Sequence, residues 1–159
     1  MDTTKKTIIL FSGEFDKVMA ALIIANGAAA MGDDVTIFCT FWGLNILRRE
    51  HDKSNRKKSF GEKVLGWLNP SGPSALPLSH LHFWGVGTAL MQRSMSKQGF
   101  PELPWLMAKA QQAGVRLIAN NMSMSAMGLK PEDLIDGVEV GEMTDLLDAA
   151  KTSSATLFI

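Results

Sequence analysis

A chain of 159 residues with 46% hydrophobic content is sized for one globular domain with a two- or three-layer core. Sixteen Lys and Arg balance sixteen Asp and Glu, and this zero formal charge excludes the global positive field of a dedicated nucleic-acid binder. A single cysteine excludes an internal disulfide, a Cys-rich zinc site and a Cys-x-x-Cys redox pair.

Residues 1–6 ahead of a short apolar run lack the pattern of a secretory signal, so a soluble, cytoplasmic protein is expected. Lys5 to Phe11 is β-branched and apolar and is halted by Ser12-Gly13, as in a strand buried on both faces. Lys17 to Met31, rich in Ala, predicts a helix closed by Gly32, with Glu14 and Asp16 at the positive end of its dipole. Val35 to Cys39 is a second strand, which completes a β-α-β unit and sets the fold class. Phe41 to Arg49 predicts a short amphipathic helix.

Arg48, Arg49, Lys53, Arg56, Lys57, Lys58 and Lys63 make one basic patch, read as a solvated loop or as a contact for an anionic partner or membrane surface. The Pro, Gly and Ser content beyond it predicts an irregular inserted excursion over residues 49–83. Residues 64–92 carry no Asp, Glu, Lys or Arg, yet Pro70, Pro73 and Pro77 argue against a membrane span. His80 and His82 would share one face of an extended segment, but lacking a third ligand nearby they read as ordinary histidines beside Trp84, and no metal site is expected.

Gly87 to Gln98 and Pro101 to Gln112 predict helices, the second ended by Gly114. Val115 to Ala119 is a third strand, Met122 to Met127 and Pro131 to Ile135 are short helices, and Gly137 to Val140 is a short strand. A helix over Met143 to Lys151 and a strand over Ala155 to Ile159 complete the chain. This is one domain over residues 1–159: a three-layer α/β/α sandwich around a mainly parallel sheet of about five strands.

Parallel strands bring Ser12-Gly13-Glu14, Thr40-Phe41-Trp42-Gly43 and Asn120-Asn121-Met122-Ser123 to the carboxyl edge of the sheet, where open α/β folds bind ligands. Ser12, Gly13, Phe41, Trp42, Gly43, Asn120, Asn121 and Ser123 are the candidate ligand-binding residues, and a small anion or carbonyl suits them. Neither a G-x-x-x-x-G-K-[ST] loop nor G-x-G-x-x-G occurs, so no nucleotide cofactor is implied. Trp67, Trp84, the Ala-rich helix, and the basic patch opposed by an acidic segment over residues 130–151 (Glu132, Asp133, Asp136, Glu139, Glu142, Asp145 and Asp148 against Lys130 and Lys151) point to a homo-oligomer.

Four segments, Thr40 to Leu44, Ala119 to Gly128, Asp133 to Glu139 and Leu157 to Ile159, resemble the DsrE/DsrF/DsrH-like family, in its branch described as peroxiredoxin-like or sulfurtransferase. The resemblance implies an oligomeric α/β protein of sulfur relay, with partners such as a rhodanese and a cysteine that carries persulfide. That branch typically places Ala-Cys before the Met-Ser-Met stretch and Asp after it, where this chain has Asn120 and Ser125. An amide cannot attack sulfur, so the resemblance implies a binding or scaffold member without the carrier thiol. Two alternatives stand beside it: a sulfurtransferase or thiol-dependent enzyme using Cys39, and a peripheral membrane adaptor using the basic loop and Trp67.

Overall fold

The computed structural model describes residues 3–49, Gly72, Leu76, Leu90, Arg93, Ser94 and 97–159. Five strands, β1 (Lys5–Leu10), β2 (Asp34–Cys39), β3 (Arg116–Asn120), β4 (Val138–Gly141) and β5 (Ala155–Phe158), form one sheet in the order β4-β3-β2-β1-β5. All neighbouring pairs run parallel, with Leu10 beside Cys39, Cys39 beside Ala119, and Ile9 beside Phe158.

Four α-helices fully within the described residues accompany the strands: α1 (Phe15–Ala30), α2 (Leu103–Gln112), α3 (Asn121–Ala126) and α4 (Met143–Thr152). The first three crossovers step in one direction across the sheet, so α1 and α2 pack on the same face. The return from β4 to β5 carries α4 to the opposite face, which completes the α/β/α sandwich. Between the sheet and α1 and α2 lies the main core, in which Ile8, Leu10, Ile37, Cys39 and Leu117 meet Val18, Leu22, Leu106 and Ala110. On the other face Leu146 of α4 closes over Phe38 and Ile118.

The ends of these elements follow local chemistry. Gly32 and Gly114, at φ +88° and +78°, follow the last residues of α1 and α2 and supply the left-handed turn that ends them. The segment expected to be an amphipathic helix over 41–49 is instead a 3-10 helix, Phe41–Leu47, with Gly43 through Leu47 buried. Its only polar residue is Asn45, so it has no wet face to present, and it sinks into the core. The predicted helix at 131–135 contracts to a single 3-10 turn, Pro131–Asp133, because the following backbone pairs elsewhere. Ile135 N–H donates to Leu47 O at 2.8 Å, and Arg48 bridges Leu134 in antiparallel fashion.

Of the predicted helix at 87–98, the described residues Leu90, Arg93, Ser94 and Lys97 are helical. The excursion contributes Leu76, which is buried in the main core. The basic loop beyond Arg49, His80, His82, Trp67 and Trp84 lie outside the described residues.

Candidate functional site

The three loops at the carboxyl edge of β1, β2 and β3 meet through backbone bonds. Thr40 N–H donates to Leu10 O at 3.0 Å and Gly43 N–H donates to Phe11 O at 2.9 Å, which clamps the start of the 3-10 helix onto the end of β1. This approach requires glycine. A Cβ on Gly43 would stand 2.0 Å from Leu10 O, and one on Gly13 would stand 2.7 Å from Trp42 O. The third loop joins through its hydroxyls, with Thr40 Oγ1 and Ser123 Oγ 2.8 Å apart in a buried hydrogen bond.

Phe41 pays for the tight exit from β2 with a φ of +46°, a left-handed conformation that is strained for an aromatic residue. The turn leaves its ring outside the core, 5.5 Å from the ring of Phe11, and Phe11 stacks in turn on Phe158 at 5.9 Å. Phe158 is there because β5 pairs with β1. Trp42 and Met122 are also exposed, at 50% and 71%, so the rim of the site is aromatic and thioether in character.

Several polar side chains beneath this rim are already engaged. Asn120, the last residue of β3, is the N-cap of α3: its Oδ1 accepts from Ser123 N–H at 2.8 Å, and the residue is only 2% exposed. Ser12 Oγ donates to Glu14 Oε2 at 3.1 Å and accepts from Glu14 N–H, while Glu14 forms an ion pair with Lys17. Asn121 Nδ2 donates to Glu142 Oε1 at 2.8 Å and ties the exit of β3 to that of β4.

Cys39 ends β2 at the same edge, but its side chain belongs to the main core and is fully buried. Burial among apolar neighbours pushes its thiol well above the ordinary range, so a thiolate is disfavoured. Among the described residues, no group of three His, Cys, Asp or Glu side chains is placed to hold a metal ion. The edge therefore presents exposed aromatic rings over loops in which Ser12, Thr40, Asn120, Asn121 and Ser123 are hydrogen-bonded to neighbouring groups.

Of the residues singled out from sequence, Phe41, Trp42 and Asn121 are accessible, whereas Ser12, Gly13, Gly43, Asn120 and Ser123 are buried and build the loops. Phe11 and Phe158 escaped the sequence reading. Their apolar character at strand ends was visible, but only the pairing of β5 with β1 brings their rings together.

Residues 2–158 match the DsrE/DsrF/DrsH-like family. The chain belongs to this family. It is 43% identical over 157 residues to the uncharacterized protein YrkE of Bacillus subtilis (strain 168), covering 99% of this chain and 98% of that one. It is 29% identical over 168 residues to the sulfur carrier protein DsrE2 of Allochromatium vinosum, with both chains fully covered. The DsrE-like fold recurs in two solved structures, each at a TM-score of 0.55. One is the YchN protein of E. coli, with 13% identity, 98% of this chain and 99% of that one covered. The other is the MTH1491 protein of Methanobacterium thermoautotrophicum, with 14% identity, 99% of this chain and all of that one covered. The chain is thus related, at distant identity, to a DsrE-family sulfur carrier. No helix among the described residues is long and apolar enough to cross a membrane.

Proposed function

We propose that this DsrE-like protein serves sulfur relay as a binding or scaffold member, docking a partner protein or small molecule at the carboxyl edge of its sheet without carrying persulfide itself. The observation that carries this reading is the state of Asn120. It sits at the corner between β3 and α3, and its side chain is spent on capping the helix rather than turned toward an incoming group. Persulfide exchange needs a thiolate that attacks the terminal sulfur of the donor while the donor thiolate leaves, and an amide cannot take that role. The lone thiol, on Cys39, lies in the core with its ionisation disfavoured.

The exposed rim of Phe11, Phe41, Trp42, Met122 and Phe158 supplies the docking surface, with a rhodanese as the expected kind of partner. Ile23 and Ile24 of α1, nearly half exposed, favour a homo-oligomer, and a cytoplasmic location fits the unpaired thiol.

Intact-mass spectrometry after incubation with a persulfidated rhodanese tests the proposal. The native protein is expected to gain no sulfur, and Cys39 to resist alkylation until the protein unfolds. Uptake of one sulfur atom that Cys39→Ala abolishes would make Cys39 the carrier and overturn the scaffold reading. Light scattering that returns the 17.3 kDa monomer at micromolar concentrations would remove the oligomer.

A further inference from the structure

On the face opposite α1, α4 is the one helix among the described residues that packs on the sheet. Leu146 closes only the half over Phe38 and Ile118, toward the carboxyl end. The amino-terminal half is left as an open cavity of about 320 Å³ between α4 and strands β1, β2 and β3. This lies at the low end of small-molecule sites.

The floor of the cavity is polar where a sheet face is ordinarily apolar. Thr7 pairs with Thr36 across β1 and β2, and Thr36 with Arg116 across β2 and β3, so the two hydroxyls and the guanidinium form one cross-strand row. Both threonines are buried, and Thr7 Oγ1 also reaches Ser153 Oγ at 2.6 Å, beyond the end of α4. Arg116 is held in place by its fork on Glu139, with contacts of 2.7 and 3.0 Å.

Among the described residues the charges lining the cavity are opposed and balanced: Lys5, Lys6 and Arg116 face Asp34, Asp145 and Asp148. Most are partly engaged. Asp145 Oδ2 caps the N–H of Glu142, Asp148 pairs with Lys151, and Lys6 reaches Ser154. Lys5 and Asp34 differ. They are register partners on adjacent strands whose backbones are hydrogen-bonded, Asp34 N–H to Thr4 O and Ser154 N–H to Lys5 O, while their side chains belong to none of the ion pairs above and Asp34 acts on the Arg116 guanidinium through its charge.

A net anion would meet three carboxylates here, and a net cation three basic groups. A molecule carrying both charges a few ångströms apart can set its carboxylate at Lys5 and its ammonium at Asp34, with the threonine hydroxyls beneath. We propose that this cavity is a second binding site, separate from the carboxyl edge, for a small zwitterion of free amino-acid size.

Titration calorimetry of the full chain with glycine, L-alanine and L-cysteine tests this, with acetate and methylamine as singly charged controls. Binding is expected with a Kd of about 1 mM or tighter, weakened about tenfold or more in both Lys5→Met and Asp34→Asn, and unchanged in Trp42→Ala. Amide shifts on titration should centre on Thr7 and Thr36, a readout on the native protein that needs no variant. The site is refuted if none of the three amino acids binds at about 10 mM, if the controls bind equally well, or if the shifts map to the carboxyl edge.

Discussion

Removing the Asn120 side chain tests whether that residue now has a structural task. In Asn120→Ala, Ser123 N–H loses its acceptor at a position where the residue is 2% exposed, so water cannot easily replace it. Loss of a cap costs about 1 kcal/mol on average, and a buried donor left unsatisfied costs about 1–3 kcal/mol. These overlap, so a loss of about 2 kcal/mol is expected. For a chain of this length that lowers the thermal midpoint by about 4–8 °C. Asn120→Ser retains an N-cap oxygen and should recover most of the difference. Circular dichroism melts of the three proteins at one pH and concentration provide the comparison. If Asn120→Ala melts within about 1 °C of the parent, the cap contributes nothing; if the serine variant falls as far as the alanine, lost volume rather than the lost acceptor is responsible.

Gly43→Ala should destabilise by about 3 kcal/mol, because its Cβ would stand 2.0 Å from a backbone oxygen that cannot move without breaking the clamp on β1; urea unfolding gives the value. Trp42→Ala should cost about 2 kcal/mol or less, short of the ~3–5 kcal/mol for a buried Trp, because half of the residue is already in water. It should also weaken binding of a labelled rhodanese in fluorescence anisotropy. Arg116→Met should blunt the acid limb of the stability curve. The Arg116 hydrogen bonds hold the Glu139 carboxyl below its ordinary range, so their contribution is present above the unfolded value near pH ~4.3 and is lost as pH falls through the lower folded one. Both side chains are about half exposed, so the difference in urea midpoints between pH 7 and pH 3 should correspond to no more than about 1 kcal/mol.

The parallel sheet was legible because its strands are short, mostly apolar runs, those of β1 and β3 stopped by Ser12-Gly13 and Asn120-Asn121, and the intervening helices follow a different period. Strand order was not. Whether β5 joins β1 or the far edge depends on how α4 folds back across the sheet, and no local pattern records that. The same gap hid part of the candidate site. The loops at Ser12, Thr40 and Asn120 could be placed from strand ends alone, but the Phe11 and Phe158 stack exists only through the pairing of β5 with β1. Thr7 and Thr36 read simply as β-branched strand residues, and nothing in their spacing announced that one helix would leave them lining a cavity. The 41–49 segment misled for a different reason: helical spacing of apolar residues was read, but the shortage of polar residues for the outer face was not weighed.

The corner at residue 120 makes two demands that oppose each other. As a cap it must present an acceptor to Ser123 N–H inside the protein, and as a sulfur acceptor it would have to expose its reactive atom to a partner. Asn120 meets the first demand fully, since an amide oxygen accepts well at any pH, whereas a thiol does so weakly unless it is ionised. Exposed beside it, with Asn121, are Trp42, Phe41 and Met122, groups suited to meeting apolar or aromatic surface. Under the proposed scaffold role, these accessible groups at the edge of the sheet are where a partner would dock.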